Sequence, residues 1–328
     1  MLFRSSTASN GQLLIGNGSG FTLAALSAGS GSGLSITNSA GGISIGASTT
    51  CPSGYILVPN DGKFSRKDFC VMKYEAQIDA TTGLPTSTSS GSPWASISWY
   101  SAKDACLRAG AHLINEGEWM TIARNIEATT INDLETTGGI QLATGHSDSV
   151  PNNALSAAAD PVISSCTLTL PLSDAANAST GTCALRGALP YTGTGQSYTG
   201  TYSAGVANDS QMRTHVLSNG NIIWDLAGNV WEWTDMQCDT TRWNSNAGWL
   251  EWTNAGLTDW EKLVAGPSGS LTSANGAGQY YGCTASADAL LRGADWNDGA
   301  YAGVFAALLN SAPTLVSTHV GFRCALQP

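Results

Sequence analysis

Residues 224–234 read Trp-Asp-Leu-Ala-Gly-Asn-Val-Trp-Glu-Trp-Thr. In this run, Trp231 and Trp233 stand on either side of Glu232, so that large apolar side chains alternate with a carboxylate. A strand with this alternation buries one face and presents the other. Short strands and turns are expected from here to the C-terminus, because eight of the 11 tryptophans follow Met212.

Two helices are predicted upstream of this run. Ser98 is a suitable N-cap for a helix over 99–109, where small apolar residues recur at helical spacing. Asn115 is followed three residues later by Glu118, which is the pattern of a capping box. The second helix is expected to run to about Ile126.

Three segments occur in an order that carries a family resemblance. The first runs from Ile97 to Trp119, and the second is the run at 224–234. The third begins Leu-Arg-Gly-Ala-Asp-Trp at 291–296 and ends Gly-Phe-Arg-Cys at 321–324. In this order, they resemble the formylglycine-generating-enzyme (sulfatase-modifying-factor) branch of the C-type lectin fold.

The resemblance covers residues 51–328, with long insertions at about 128–210 and 235–290. It implies an α+β, C-type lectin-like fold with two helices, short antiparallel strands and long loops. It also implies a long-range disulfide between Cys106 and Cys324, which would tie the two ends of the domain together.

A calcium ion is a further implication of the resemblance. In the enzyme branch, the Asn-Val-Trp-Glu stretch helps to hold calcium through backbone and carboxylate oxygens, so Asn229 and Glu232 are the candidate ligands for a structural calcium ion here. The alternative is that Glu232 caps or hydrogen-bonds a neighbouring loop.

The eight cysteines are widely spaced and include no CxxC pair, which argues against a zinc site and favours disulfides. Disulfides imply an oxidising destination, either a virion or the extracellular surface. The alternative is a set of reduced core thiols in a cytosolic protein. With Cys106 and Cys324 paired, proximity along the chain suggests three further pairs: Cys51–Cys70, Cys166–Cys183 and Cys238–Cys283.

Composition excludes several classes of protein. Lys and Arg total 14 against 24 Asp and Glu, so the net charge of -10 argues against a nucleic-acid partner. Charged residues make up only 12% of the chain, and 38 glycines argue against a bundle of long helices. No apolar run is long enough to span a membrane, and the start does not resemble a secretory signal peptide.

Residues 1–50 differ from the rest of the chain. They contain a single charged residue, Arg4, and short alternating apolar pairs separated by Gly-Ser-Asn turns. This pattern predicts a small Gly-rich β segment that serves attachment or oligomerisation, for example as a trimer. A flexible linker is the alternative.

Catalytic motifs are missing from the sequence. The four histidines are far apart and lack metal-ligand spacing, and no GxSxG, P-loop or GxGxxG is in a suitable place. The oxidising enzymes that the chain resembles need reactive cysteines near the C-terminal motif, yet none lies between Arg292 and Arg323. A non-catalytic protein is therefore expected. The alternatives are an enzyme of the formylglycine-generating type with its chemistry elsewhere, or a static calcium-dependent lectin, although no EPN or QPD triplet occurs.

The C-terminal segment, 291–324, resembles the variable region of diversity-generating retroelement proteins, in which a lectin fold displays randomised residues. The resemblance implies a ligand- or receptor-binding display protein, such as a phage tail fibre, with a protein or glycan receptor on a target cell. The motifs Arg292-Gly293, Trp296 and Gly321-Phe322-Arg323 would form the framework of this region that is not randomised. The candidate ligand-binding positions are Asp295, Asp298, Tyr301, Ala307, Leu309, Ser311, Leu315, Val316, Ser317 and His319. The alternative for Leu309, Leu315 and Val316 is that they belong partly to the core.

Overall fold

A computed structural model describes residues 12–16, 21–25, 34–39, 42–47, 50–133, 140–149, 152–157, 192–193, 196–197 and 212–327. The chain divides into two compact units, residues 1–52 with 327–328 and residues 53–326.

The first unit contains two antiparallel hairpins. Strand β1 (Gln12–Gly16) pairs with β2 (Phe21–Ala25), and β3 (Leu34–Ser39) pairs with β4 (Gly42–Ala47). The strands expected from the alternating apolar pairs are therefore present. Each hairpin forms its own two-stranded sheet.

The second unit contains two larger sheets among its described residues. The four-stranded sheet has the order β5-β6-β20-β9, and the six-stranded sheet has the order β15-β16-β18-β17-β14-β19. Most pairs are antiparallel, but β14 runs parallel to β19, and β16 runs parallel to β18. The strands of the two sheets are β5 (Tyr55–Val58), β6 (Phe69–Met72), β9 (His112–Leu113), β14 (Trp231–Gln237), β15 (Trp249–Leu250), β16 (Tyr280–Tyr281), β17 (Ala289–Arg292), β18 (Ala307–Ser311), β19 (Val320–Phe322) and β20 (Cys324–Leu326).

Three short hairpins complete the described strands. Their strands are β7 (Gln77–Ile78), β8 (Pro85–Thr86), β10 (Thr192–Gly193), β11 (Gln196–Ser197), β12 (Thr214–Val216) and β13 (Ile222–Trp224). Each pairs with its neighbour in sequence.

Both predicted helices are confirmed. Helix α1 (Trp99–Arg108) begins at the Ser98 cap, whose side chain accepts a hydrogen bond from the Ser101 backbone N–H. Helix α2 (Glu116–Ala128) has the expected capping box, since the side chains of Asn115 and Glu118 bond each other's backbone N–H groups. A third, shorter helix, α3 (Asp259–Ala265), lies in the second insertion and carries its own capping box.

Tryptophans connect the helices to the sheets. The indole N–H of Trp99 donates to Thr234 O (2.8 Å), and that of Trp233 donates to Ile97 O (2.9 Å). Trp119 on α2 donates to Val304 O (2.8 Å), and its ring is fully buried. Each large ring thus fills the core and also satisfies a backbone carbonyl of another segment.

Two of the expected disulfides are confirmed. Cys106 on α1 is bonded to Cys324 on β20, across 218 residues of sequence, and Cys238 is bonded to Cys283 across 45. Cys51 and Cys70 are each disulfide-bonded. The remaining predicted pair, Cys166–Cys183, lies outside the described residues.

The expected α+β class is confirmed: helices and short, mainly antiparallel strands share the second unit. Among the residues with described positions, no helix is both long and apolar enough to cross a membrane.

Candidate functional site

Two fully buried arginines flank the display segment, defined here as residues 295–319. On the N-terminal side, Arg292 Nη1 donates to Ala265 O (3.1 Å) and Phe305 O (3.0 Å). Its Nε donates to the Glu116 carboxylate at the start of α2 (3.2 Å). The backbone entering the segment is therefore fixed to the start of α2, to the end of α3 and to the turn at Phe305.

Arg323 fixes the other side. Its guanidinium makes a two-point ion pair with the Glu232 carboxylate, with 2.6 Å between Nε and Oε2. The same guanidinium donates to Met72 O and Trp224 O, each at 3.1 Å. Burial raises the pKa of Glu232, and the positive charge of Arg323 opposes that rise.

The calcium expectation does not fit this arrangement. Asn229 Oδ1 accepts the Leu155 backbone N–H (2.6 Å), and its Nδ2 donates to Glu75 Oε2 (2.6 Å). Both carboxylate oxygens of Glu232 face the Arg323 guanidinium, which would repel a cation. The alternative role of Glu232, a hydrogen bond to a neighbouring group, matches the contacts. The group that it binds is the Arg323 side chain, however, and not a neighbouring loop.

Strand β18 presents a different face from the one expected. Ala307, Leu309 and Ser311 point into the protein, with exposed fractions of 0%, 0% and 6%. Leu308 and Asn310 alternate with them and are half-exposed. The expectation that Ala307, Leu309 and Ser311 contact a ligand therefore needs correction, because a strand turns successive side chains to opposite faces.

Two residues of the turn after β17 hold the imidazole ring of His319 in place. The Asp295 side chain is buried, and its Oδ2 lies 2.6 Å from Nδ1 of His319. The His319 ring stacks on Trp296, with 4.1 Å between ring centroids. Asp295 therefore positions His319, and the half-exposed ring can offer its second nitrogen to a ligand.

Asp298 is a half-exposed carboxyl in the same turn. Its Oδ2 accepts the Asp295 backbone N–H (2.8 Å). Burial raises the pKa of Asp298 to about 7, and the neighbouring charge of Asp295 adds to the rise. Near neutral pH, this group can act as either a hydrogen-bond donor or an acceptor.

Tyr301 is the outermost ring of an aromatic stack. It is 38% exposed and stacks on Trp249 at 4.6 Å, which in turn stacks on Trp231 at 6.2 Å. Tyr281 packs edge-on against Trp249 at 5.3 Å. Sequence reasoning missed Trp249 and Tyr281, because they belong to the second insertion; the density of aromatic residues there was the available signal.

The loop before β19 carries the most exposed candidates. Leu315 is 38% exposed and Val316 is 58% exposed, while Ser317 is half-exposed. The turn closes on itself through backbone bonds from Leu315 N–H to Ala312 O (2.8 Å) and from Val320 N–H to Ser317 O (3.1 Å).

The described part of the site presents side chains of several chemical types at the protein surface. In the described ranges, no group of three or more His, Cys, Asp or Glu side chains is arranged to hold a metal ion. Six of the ten candidate positions reach the surface there: Asp298, Tyr301, Leu315, Val316, Ser317 and His319. They offer aromatic, aliphatic, hydroxyl, carboxyl and imidazole groups to a ligand.

Comparisons with solved structures give weak similarities. The I1 variant of the Major Tropism Determinant is 17% identical with a TM-score of 0.38, over 84% of this chain and 53% of that chain. Treponema denticola variable protein 1 is 13% identical with a TM-score of 0.35, over 83% and 91%. PvdO from Pseudomonas aeruginosa is 14% identical with a TM-score of 0.36, over 84% and 92%.

This chain spans about half the length of the Major Tropism Determinant structures that it matches. No protein-family model matches the chain, and no curated protein matches it. At these TM-scores, the similarities do not establish a family.

Proposed function

We propose that this chain is a non-catalytic ligand-binding protein that presents exchangeable side chains on the display segment. One observation supports this most directly. The side chains at 298, 301, 315, 316, 317 and 319 are exposed or half-exposed, and their backbone is held mainly by buried residues and by backbone hydrogen bonds. They can therefore change without loss of the core.

Backbone hydrogen bonds and one glycine fix the turns of the display segment. Ala302 N–H donates to Gly299 O (3.1 Å), and Tyr301 N–H donates to Asp298 O (3.0 Å), so neither bond depends on a side chain. At Gly303, φ is +158°, and an added Cβ would lie 2.3 Å from Gly276 O. Only glycine fits there, which fixes the return of the chain toward β18.

The proposal includes a source of variation and a setting. A diversity-generating retroelement would exchange the display residues, and the protein would attach a phage tail fibre, another virion part or a cell surface to a protein or glycan receptor. Residues 1–50 would connect it to a larger particle or form a trimer. The calcium-dependent lectin alternative is not supported, because Asn229 and Glu232 are already occupied by protein partners.

The genetic test is to sequence the encoding locus and search for a near-copy of codons 292–323 beside a reverse transcriptase. We expect mismatches confined to template adenines, falling on codons of exposed residues. The absence of any such copy would leave a static protein and would contradict the retroelement origin.

The physical test compares two libraries made in the full chain. The first randomises the exposed positions 298, 301, 315, 316, 317 and 319, and the second randomises the buried positions 307 and 309. We expect most members of the first library to melt within a few degrees of the parent and most members of the second to lose the cooperative transition. Equal losses in both libraries would contradict a display function.

A further inference from the structure

A groove of about 540 Å³ opens beside the display segment. One wall is the chain that leads into α1 together with the solvent side of that helix, and Val316 stands on the other side. The lining residues that matter here are Trp94, Ser96, Ser98, Tyr100, Arg108 and Val316.

The groove and the display segment are connected through the backbone. Ser96 N–H donates to Ser317 O (2.9 Å), and Trp99 N–H donates to Pro313 O (3.1 Å). Val316 belongs to both surfaces, because it is a display residue and also lines the groove. A ligand seated on the loop at 313–317 would therefore reach the groove.

The groove lining also contains one residue with a strained backbone and two exposed side chains with large apolar surfaces. Ser96 adopts φ +59°, a left-handed conformation that is strained for a residue other than glycine. Tyr100 is 55% exposed and Val316 is 58% exposed, although both have large apolar surfaces. Leu107, about two turns further along α1 and outside the groove lining, is 71% exposed.

The lining has the composition of a protein-binding surface. Tryptophan, tyrosine and arginine are the residues that dominate binding energy at protein interfaces, and serine supplies adaptable hydrogen bonds in antibody loops. Arg108 pairs with Asp104 at 3.0 Å on the exposed helix surface, which gives the groove a polar rim.

We propose that this groove is a constant part of the ligand-binding surface and that it receives a protruding loop of a protein ligand. An apolar side chain of that loop would pack on Tyr100 and Val316, and Arg108 would bond to its backbone or to an acidic neighbour. This inference rests on the proposed function of the display segment.

The test uses the full chain on a display system. The exposed display positions are randomised, the groove is left unchanged, and clones are selected for binding to lysozyme. Tyr100→Ala and Arg108→Ala are then introduced into several clones with different display sequences. The matched control is Leu263→Ala on α3, which also removes a half-exposed apolar side chain (46% exposed).

We expect Tyr100→Ala to weaken lysozyme binding by about tenfold or more in most clones, and Leu263→Ala to change it by less than about twofold. Melting curves of the variants check that each one folds. If clones bind lysozyme but tolerate both groove substitutions, the groove is not part of the surface, and the proposed function survives. If a folded library yields no binder, the proposed function fails as well.

A saccharide ligand is the other outcome to separate. Free disaccharides are titrated against the parent chain and Tyr100→Ala, with tryptophan fluorescence as the readout. No saturable change is expected. A saturable change that Tyr100→Ala abolishes would overturn the assignment to a protein ligand.

Discussion

At the scale of single residues, five ionisable groups are buried together between the two sheets. Each guanidinium has a carboxylate partner: Arg323 pairs with Glu232, and Arg213 pairs with Asp225 through two bonds of 2.6 Å. Glu75 is the third carboxylate, and burial raises its pKa, as do the charges of Asp225 and Glu232. When Glu75 is protonated, the cluster is neutral.

The first prediction concerns the loss of one partner. Arg323→Met leaves the Glu232 carboxylate buried without its counter-charge, so we expect unfolding to require about 3–5 kcal/mol less free energy. The double variant Arg323→Met, Glu232→Met should recover part of this loss. Urea denaturation measures both, and a double variant as unstable as the sum of the two single variants would contradict the pairing.

The second prediction concerns pH. His215 is fully buried, and burial lowers its pKa to about 4. The unfolded chain takes up a proton near pH 6.5 and the folded chain does not, so acid favours unfolding. We expect His215 to cost about 3 kcal/mol of stability as the pH falls from about 7 to 4, and the effect to level off below about pH 3.

The measurement is the difference in unfolding free energy between the parent and His215→Leu, followed from pH 7 to pH 4. Subtraction removes the contributions of the other titrating groups. His112→Gln is the control of opposite sign, because the hydrogen bond to Glu118 raises the pKa of His112. That substitution should steepen the loss in acid, whereas His215→Leu should flatten it.

The third prediction concerns calcium. Since protein donors and acceptors already occupy Asn229 and Glu232, millimolar calcium and a chelator should give melting temperatures within about 1 °C of each other. Calorimetric titration provides a second readout. A clear rise in melting temperature with calcium, absent in Glu232→Gln, would restore the ion to the fold.

At the scale of elements, successive side chains of strand β18 face in opposite directions. One lies toward the surface and the next lies in the core. Leu308 and Asn310 share the half-exposed face, and Leu309 faces the core. We expect Leu309→Ala to cost about 2–5 kcal/mol and Leu308→Ala less than about 1.5 kcal/mol. Guanidine denaturation distinguishes them, and a larger cost for Leu308→Ala than for Leu309→Ala would show that the strand is turned the other way.

The helices and β18 show what sequence can predict. The caps of α1 and α2 follow from local hydrogen bonds between residues three apart, so Ser98 and Asn115 locate both helix starts. The two faces of β18 differ only in what packs on them, and its stretch, Ala-Leu-Leu-Asn-Ser, has no clean alternation. Likewise, the stacking of Tyr301 on Trp249 joins residues far apart in sequence, and no local pattern encodes it.

At the scale of the whole molecule, the second unit is closed by contacts between its beginning and its end. Strand β20 pairs with both β6 and β9, and the Cys106–Cys324 disulfide joins the same strand to α1. The Cys238–Cys283 disulfide, by contrast, closes a shorter loop within the second insertion. The two bonds therefore constrain the unfolded chain to different extents.

The fifth prediction compares them. Chain entropy assigns about 5 kcal/mol to the 218-residue loop and about 4 kcal/mol to the 45-residue loop. We expect Cys106→Ala, Cys324→Ala to lower the melting temperature more than Cys238→Ala, Cys283→Ala does. Calorimetry of the two double variants makes the comparison, and the reverse order would show that local packing outweighs loop length.

The position of β20 in the middle of a sheet has a consequence for mutations that truncate the chain or shift its reading frame. A stop codon or a frameshift anywhere in the display segment would remove Arg323, Cys324 and the strand that joins β6 to β9. Such a chain could not complete its sheet and would be degraded. Completion of the fold thus depends on an intact reading frame through the segment just before β20.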